Sequence, residues 1–156
     1  MSSPRVIDFH RAKRAIFYLT GTSEYCLVFN ASDKEETYGW ADSSFNSGEG
    51  GRRDRYGYCF QFGRTSGTFV AVCKRSSLVA QSSTEAEFYC LAEACREMLW
   101  IRSFLHEILE EMPCRKIFQD NTSTINMVPH EGVNERSTHI DVKFYFVMRL
   151  QLSGEV

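Results

Sequence analysis

The sequence predicts a layered domain of the α/β or α+β type, and three observations carry that expectation. Aromatic and β-branched segments at 38–45, 56–62 and 68–73 are set apart by glycine-bearing polar turns, the pattern of consecutive antiparallel strands. Residues 78–100 then place Phe88, Leu91, Ala92, Cys95, Met98 and Leu99 on one stripe at helical spacing. A short apolar segment at 116–119 and further helical patterns follow. Three antiparallel strands, a helix, a strand able to lie parallel beside the first, and then helices make such a domain.

Taken in order, residues 8–19 predict a short helix, with Phe9, Ala12, Ile16 and Leu19 on one side and Arg11, Lys13 and Arg14 exposed. Thr20-Gly21-Thr22 stops it, glycine being the usual terminator. Residues 25–30 predict a brief strand, and the polar linker 31–36 marks a sub-boundary. The strand at 38–45 ends in the turn NSGEGGRRDR. The strand at 56–62 joins that at 68–73 through a hairpin turn at 63–67, and a further short strand is expected near 78–80. Ser82-Ser83-Thr84 are helix-capping types. They open a helix expected to run to about residue 109, with Pro113 barring continuation. The strand at 116–119 ends at Asp120-Asn121. A short helix at 122–128, a loop at 129–138 and a last helix at 139–150 complete the chain, Ile140, Phe144, Val147 and Met148 sharing a face of that helix.

The 156 residues suit one domain, and 43% hydrophobic content suffices for a core. A formal net charge of −2 excludes a general polycation, so any nucleic-acid role needs a local basic face. Six cysteines form no CxxC pair and no zinc spacing, which points to free thiols in a reducing compartment. No apolar run approaches the roughly 20 residues of a membrane helix, and the N-terminus has no signal-peptide core.

Four acids stand out. Asp42 lies inside a strand of aromatic and apolar neighbours, where an unpaired carboxylate is costly. Asp120 ends the short fourth strand, Glu87 lies in the first turns of the long helix, and Asp141 lies in the first turn of the last. With the first and fourth strands parallel neighbours, Asp42 and Asp120 come close, and the helix starts deliver Glu87 and Asp141 to the same place. Crowded carboxylates repel and are best explained by cations. Oxygen-only ligands favour Mg²⁺ or Mn²⁺ over zinc. Two such ions, about 3.5–4 Å apart, support phosphodiester cleavage. Each acid also has a local reading: Glu87 and Asp141 as helix-end acids, Asp120 as a turn residue, Asp42 as a strand-end surface acid. Ser82 with Glu85, and Thr84 with Glu87, both fit capping-box spacing.

At these residues the chain resembles the ribonuclease H (RNase H) domain of the Pol polyprotein of copia-type long-terminal-repeat retrotransposons. The matching segments are GWADSSF, RYGYCFQFG, VAQSSTEAEFYCLAEACREMLWIRSFL, IFQDN and THIDVKFYF. It departs from the usual pattern at Thr138, Cys73 and Tyr145, where a basic residue, tryptophan and histidine are common. The resemblance implies an RNase H-like α/β fold, a five-stranded mixed sheet with helices packed on it. It implies a two-metal-ion endonuclease, using Mg²⁺ or Mn²⁺, that cuts RNA in an RNA–DNA hybrid. By motif, Asp42, Glu87, Asp120 and Asp141 are its catalytic and metal-binding residues; Glu85 is set aside because the family's glutamate follows the alanine. HRAKRAIFYLTGT resembles the segment connecting to the reverse transcriptase. Residues 1–36 are therefore expected to be a remnant of that connection and 37–156 the RNase H-like domain, with truncation at its C-terminus left open. The implied partners are the hybrid and the reverse-transcriptase domain of the same polyprotein, with no membrane. The implied location is intracellular, in a cytoplasmic virus-like particle or the nucleus.

Residue chemistry and position add further expected roles. Arg52, Arg53, Arg55, Arg64, Lys74 and Arg75 gather around the three-strand part. They serve either as phosphate contacts or as a solvated edge. Ser82, Ser83 and Asn121 flank the acids and are candidates for ribose 2′-hydroxyl contacts. His130 and His139 are candidates for proton transfer, or else loop and cap residues. The competing class is a non-catalytic nucleic-acid-binding or polymerase-packing remnant that keeps the fold without turnover.

Overall fold

The computed structural model describes residues 3–30, 36–45, 54–108, 114–128 and 138–155, with side chains described for all of these except 114 and 138–141. Four strands form one sheet in the order β3-β2-β1-β4. They are β1 (Glu36–Ser44), β2 (Arg55–Phe62), β3 (Thr68–Arg75) and β4 (Cys114–Phe118). β1 pairs antiparallel with β2, and β2 with β3, while β4 lies parallel to β1, with Trp40 opposite Phe118. The expected mixed sheet is thus present, and the fifth strand of the expectation is absent among the described residues.

The helices are α1 (Val6–Gly21), α2 (Ser83–His106), α3 (Thr122–Met127) and α4 (Thr138–Leu152). α2 starts where its sequence dictates. Ser82 is the N-cap, its side chain accepting from the Glu85 N–H at 3.1 Å, and the Glu85 carboxylate accepts from the Gln81 N–H at 2.6 Å.

α2 is the middle layer. On one side Cys90, Ala94, Met98 and Ile101 pack on Ala41, Tyr56, Tyr58 and Phe60 of the sheet. On the other, Phe88, Leu91, Ala92 and Cys95 pack on Val128 and on Phe144, Val147 and Leu150 of α4. Gly39 permits the closest approach within the sheet. A Cβ there would lie 2.6 Å from the Phe60 ring, so β1 and α2 seat Phe60 between them only because position 39 has no side chain. Across the sheet's opposite face, Trp40 and Phe118 stack at 5.7 Å and remain exposed.

Three local expectations are corrected. Residues 25–30 form no strand. They meet the β2–β3 turn through a backbone bond from the Gly67 N–H to Val28 O at 2.7 Å and through the Asn30 N–H to Ser66 Oγ at 3.0 Å, which is not a ladder. Residues 78–80 form no strand either. The Ala80 N–H donates to the buried Asp54 carboxylate at 3.3 Å and the Leu78 N–H to Ser76 Oγ at 3.1 Å, so side chains satisfy this turn. α2 ends at His106, short of residue 109. α1 forms as its stripe predicts but buries no residue. The five cysteines with described side chains are free.

Candidate active site

The sheet and α2 converge at the ends of β1 and β4. One carboxylate oxygen from each of Asp42, Glu87 and Asp120 lies within 4.8 Å of the other two. Asp42 comes from β1, Asp120 from the residue pair after β4, and Glu87 from the second turn of α2. The parallel pairing of β1 with β4 sets the two strand ends side by side. The Ser82 cap fixes where the helix begins, and so which acid reaches them. Glu85 is spent on the cap; Glu87 faces the sheet.

Glu87 is only 7% exposed, while Asp42 and Asp120 are exposed. Its Oε2 accepts from the Ser43 N–H and from Gln119 Nε2, each at 3.1 Å. Burial raises its carboxyl above the ordinary value of 4.5, the bonds from Ser43 and Gln119 oppose that rise, and the charge of Asp42 adds to it. Beneath the acids, Cys90 Sγ lies 3.2 Å from the carbonyl oxygens of both Asp42 and Gly57. Burial pushes that thiol up to about 12, so it acts as a neutral donor tying α2 to the strand that carries Asp42.

The other expected site residues are placed unevenly. α4 begins at Thr138, so Asp141 lies in its first turn, with its side chain outside the described residues. The same holds for the His139 side chain, and Arg52, Arg53 and His130 lie outside altogether. Asn121 is the N-cap of α3, its side chain accepting from the Thr124 N–H at 3.0 Å. Ser83 is the exposed first residue of α2. Arg55 pairs in register with Arg75, and Tyr56 with Lys74, two rungs and one rung beyond the Asp42–Gly57 rung. Arg64 does not join them. It sits at the far end of the hairpin, where its Nε donates to Tyr38 Oη at 3.2 Å. Sequence reasoning missed Gln119, whose only linear signal is its place before Asp120.

No family model matches the chain. Among curated proteins it is 28% identical, over 96% of its length, to a retrovirus-related Pol polyprotein from transposon TNT 1-94 of Nicotiana tabacum. It is 26% identical, over 99% of its length, to the Pol polyprotein from transposon RE1 of Arabidopsis thaliana. It spans only 11% and 10% of those two polyproteins. It is also 31% identical over 64% of its length to a protein named secreted RxLR effector protein 161 of Plasmopara viticola, covering 69% of that protein. Among solved structures, an RNase H1 isolated from compost by a metagenomic approach superposes with a TM-score of 0.54 at 10% identity, over 76% of this chain and 77% of the other. RNase H1 of the archaeon Halobacterium salinarum gives 0.52 at 11% identity, over 76% and 78%. These structural likenesses show the fold. The chain is thus similar along nearly its whole length to a stretch of retrovirus-related transposon Pol polyproteins, and it has the fold of RNase H1.

Proposed function

We propose that this chain is the RNase H of a copia-type retrotransposon, hydrolysing the RNA strand of an RNA–DNA hybrid internally with two Mg²⁺ or Mn²⁺ ions. The observation that supports this reading is the convergence of Asp42, Glu87 and Asp120 within 4.8 Å. Three carboxylate oxygens are a hard donor set that fits Mg²⁺ or Mn²⁺ and not a thiolate-seeking ion. Asp141, in the first turn of α4, is the proposed fourth acid. Bound divalent ions supply activation of the attacking water and charge stabilisation at the leaving oxygen.

The chain's own contribution is placement. Glu87 is held by two N–H donors against the end of β1, so its charge is fixed before substrate arrives. Asp42 and Asp120 stay open to solvent, on the side from which a phosphodiester can approach. Arg55, Lys74 and Arg75 lie one and two rungs along the same sheet end, suited to neighbouring backbone phosphates. Arg52 and Arg53 are proposed as further phosphate contacts. Ser83 and Asn121 stay proposed contacts to the ribose side, Asn121 through the amide nitrogen its cap leaves unused. His130 and His139 are proposed to assist proton transfer. Residues 1–36 are proposed to be the link to the reverse-transcriptase domain, and the working compartment to be intracellular.

The test is cleavage of an end-labelled RNA–DNA hybrid by the purified chain with Mg²⁺, with Mn²⁺ and with EDTA. Metal-dependent internal cuts in the RNA strand are expected, and Asp42→Asn or Asp120→Asn should abolish them. Cleavage at the parent rate by Asp120→Asn refutes the two-metal reading. A folded parent that never cuts under either ion establishes the non-catalytic remnant instead.

A further inference from the structure

Gln119 joins two of the three clustered acids through a single amide. Its Nε2 donates to Glu87 Oε2 at 3.1 Å. Its Oε1 accepts from the backbone N–H of Asp120 at 2.8 Å and of Asn121 at 3.1 Å. The Ser43 N–H completes Oε2 of Glu87 at 3.1 Å. Both N–H bonds to this carboxylate fall on Oε2. A carboxylate oxygen has room for about two such donors, so Oε1 is the atom left with its lone pairs open.

We propose that Gln119 is a positioning residue of the metal centre: it makes Glu87 a one-oxygen ligand and locks it to the turn bearing Asp120, so that both acids meet a cation as one preset unit. The proposal rests on the divalent-ion reading of the cluster. The physical reason is orientation. A carboxylate free to rotate presents either oxygen, or both, and loses entropy when a cation selects one geometry. The amide removes that freedom beforehand. Partners of this kind, which hold a ligand without touching the metal, commonly change metal affinity about 10–100-fold when removed. Gln119 also covers the two N–H groups where the chain leaves β4 for α3. The Asp120 backbone is therefore set by the same side chain that sets Glu87.

Gln119→Met keeps the side chain's length and removes both amide functions. Mn²⁺ binding to the full chain, read from loss of the free-ion paramagnetic resonance signal, should weaken roughly 10–100-fold against the parent. Asp42→Asn serves as the ligand-deficient control, and metal-free melting curves confirm folding. Equal Mn²⁺ affinity in Gln119→Met and the parent overturns the role of Gln119 and leaves the metal centre standing. A parent that binds Mn²⁺ no better than Asp42→Asn overturns the metal reading, and this proposal with it. If Gln119→Met does not fold, the parent decides. Its Gln119 side-chain amide resonances should shift on adding Mg²⁺ and stay fixed in Asp42→Asn. Resonances unmoved by Mg²⁺ in a parent that binds the ion overturn the proposal.

Discussion

Glu87 is where burial and charge conflict most sharply. Its carboxyl is raised above its ordinary value chiefly by burial, with the hydrogen bonding of Ser43 and Gln119 opposing the rise. A group whose folded pKa lies above its unfolded one stabilises the fold most below the unfolded value. It loses that contribution as pH rises through the folded value. In EDTA, the parent should therefore lose stability from Glu87 as pH climbs from about 4 through the raised folded pKa, and Glu87→Gln should not show that component. Melting temperatures of the two proteins across pH 4–8 check this; parallel curves would show that Glu87 carries no such load. The sequence made Glu87 and Glu85 nearly interchangeable, since both fit capping spacing. What separates them is three-dimensional: Glu85 reaches back to the Gln81 N–H, while Glu87 faces Ser43 and Gln119. Gln119 was illegible for the same reason, because its role depends on a glutamate 32 positions away.

Among the elements, α4 is docked on α2 by more than the Phe88–Phe144 stack at 5.9 Å. Lys143 Nζ lies 3.0 Å from Glu93 Oε1 and 3.4 Å from the centre of the Tyr89 ring. Both ionic side chains are partly buried, so the pair is screened less than a surface bridge. Lys143→Ala should destabilise the chain by about 1–2 kcal/mol, the order expected of a partly desolvated cation over a ring plus an ion pair. A double-mutant cycle with Glu93→Ala in urea would show the ion-pair coupling, and additive losses would assign the effect to the Tyr89 contact and packing. α2 was legible because its apolar stripe has helical period, and β1 to β3 because aromatic and β-branched residues fall between glycine turns. Residues 25–30 carry an equally apolar pattern yet form no strand ladder among the described residues. Strand formation needs a partner edge, and the hairpin turn offers the Gly67 N–H and the hydroxyls of Thr65 and Ser66, not a row of backbone groups.

For the molecule as a whole, charge is organised by folding and not by chain order. Arg64 and Lys74 belong to one set of basic residues in the three-strand part of the sequence, but the β2–β3 hairpin carries them to opposite ends of the sheet. Arg55, Lys74 and Arg75 keep adjacent register positions at the sheet end that carries Asp42. Replacing these three with alanine should weaken hybrid binding and flatten the slope of log affinity against log salt. Each lost phosphate contact removes roughly 0.7–0.9 from that slope. Arg64→Ala should leave the slope unchanged, since that guanidinium is held against Tyr38. Titrations at several salt concentrations separate the two, and an unchanged slope in the triple variant would return these residues to the solvated edge.

The central position of α2 bears on how such a domain drifts under selection. One 24-residue helix supplies an acid at its head and a wall to each of two apolar clusters along its flanks. Mutations there are purged for folding whether or not the chain still cuts. A copy released from catalytic duty would keep the lettering of α2 longest. Asp42 and Asp120 are exposed and support no core, so loss of them is nearly free once cleavage ceases to matter. For a domain of the proposed function, keeping Asp42 and Asp120 together would therefore report selection for chemistry more directly than keeping Glu87.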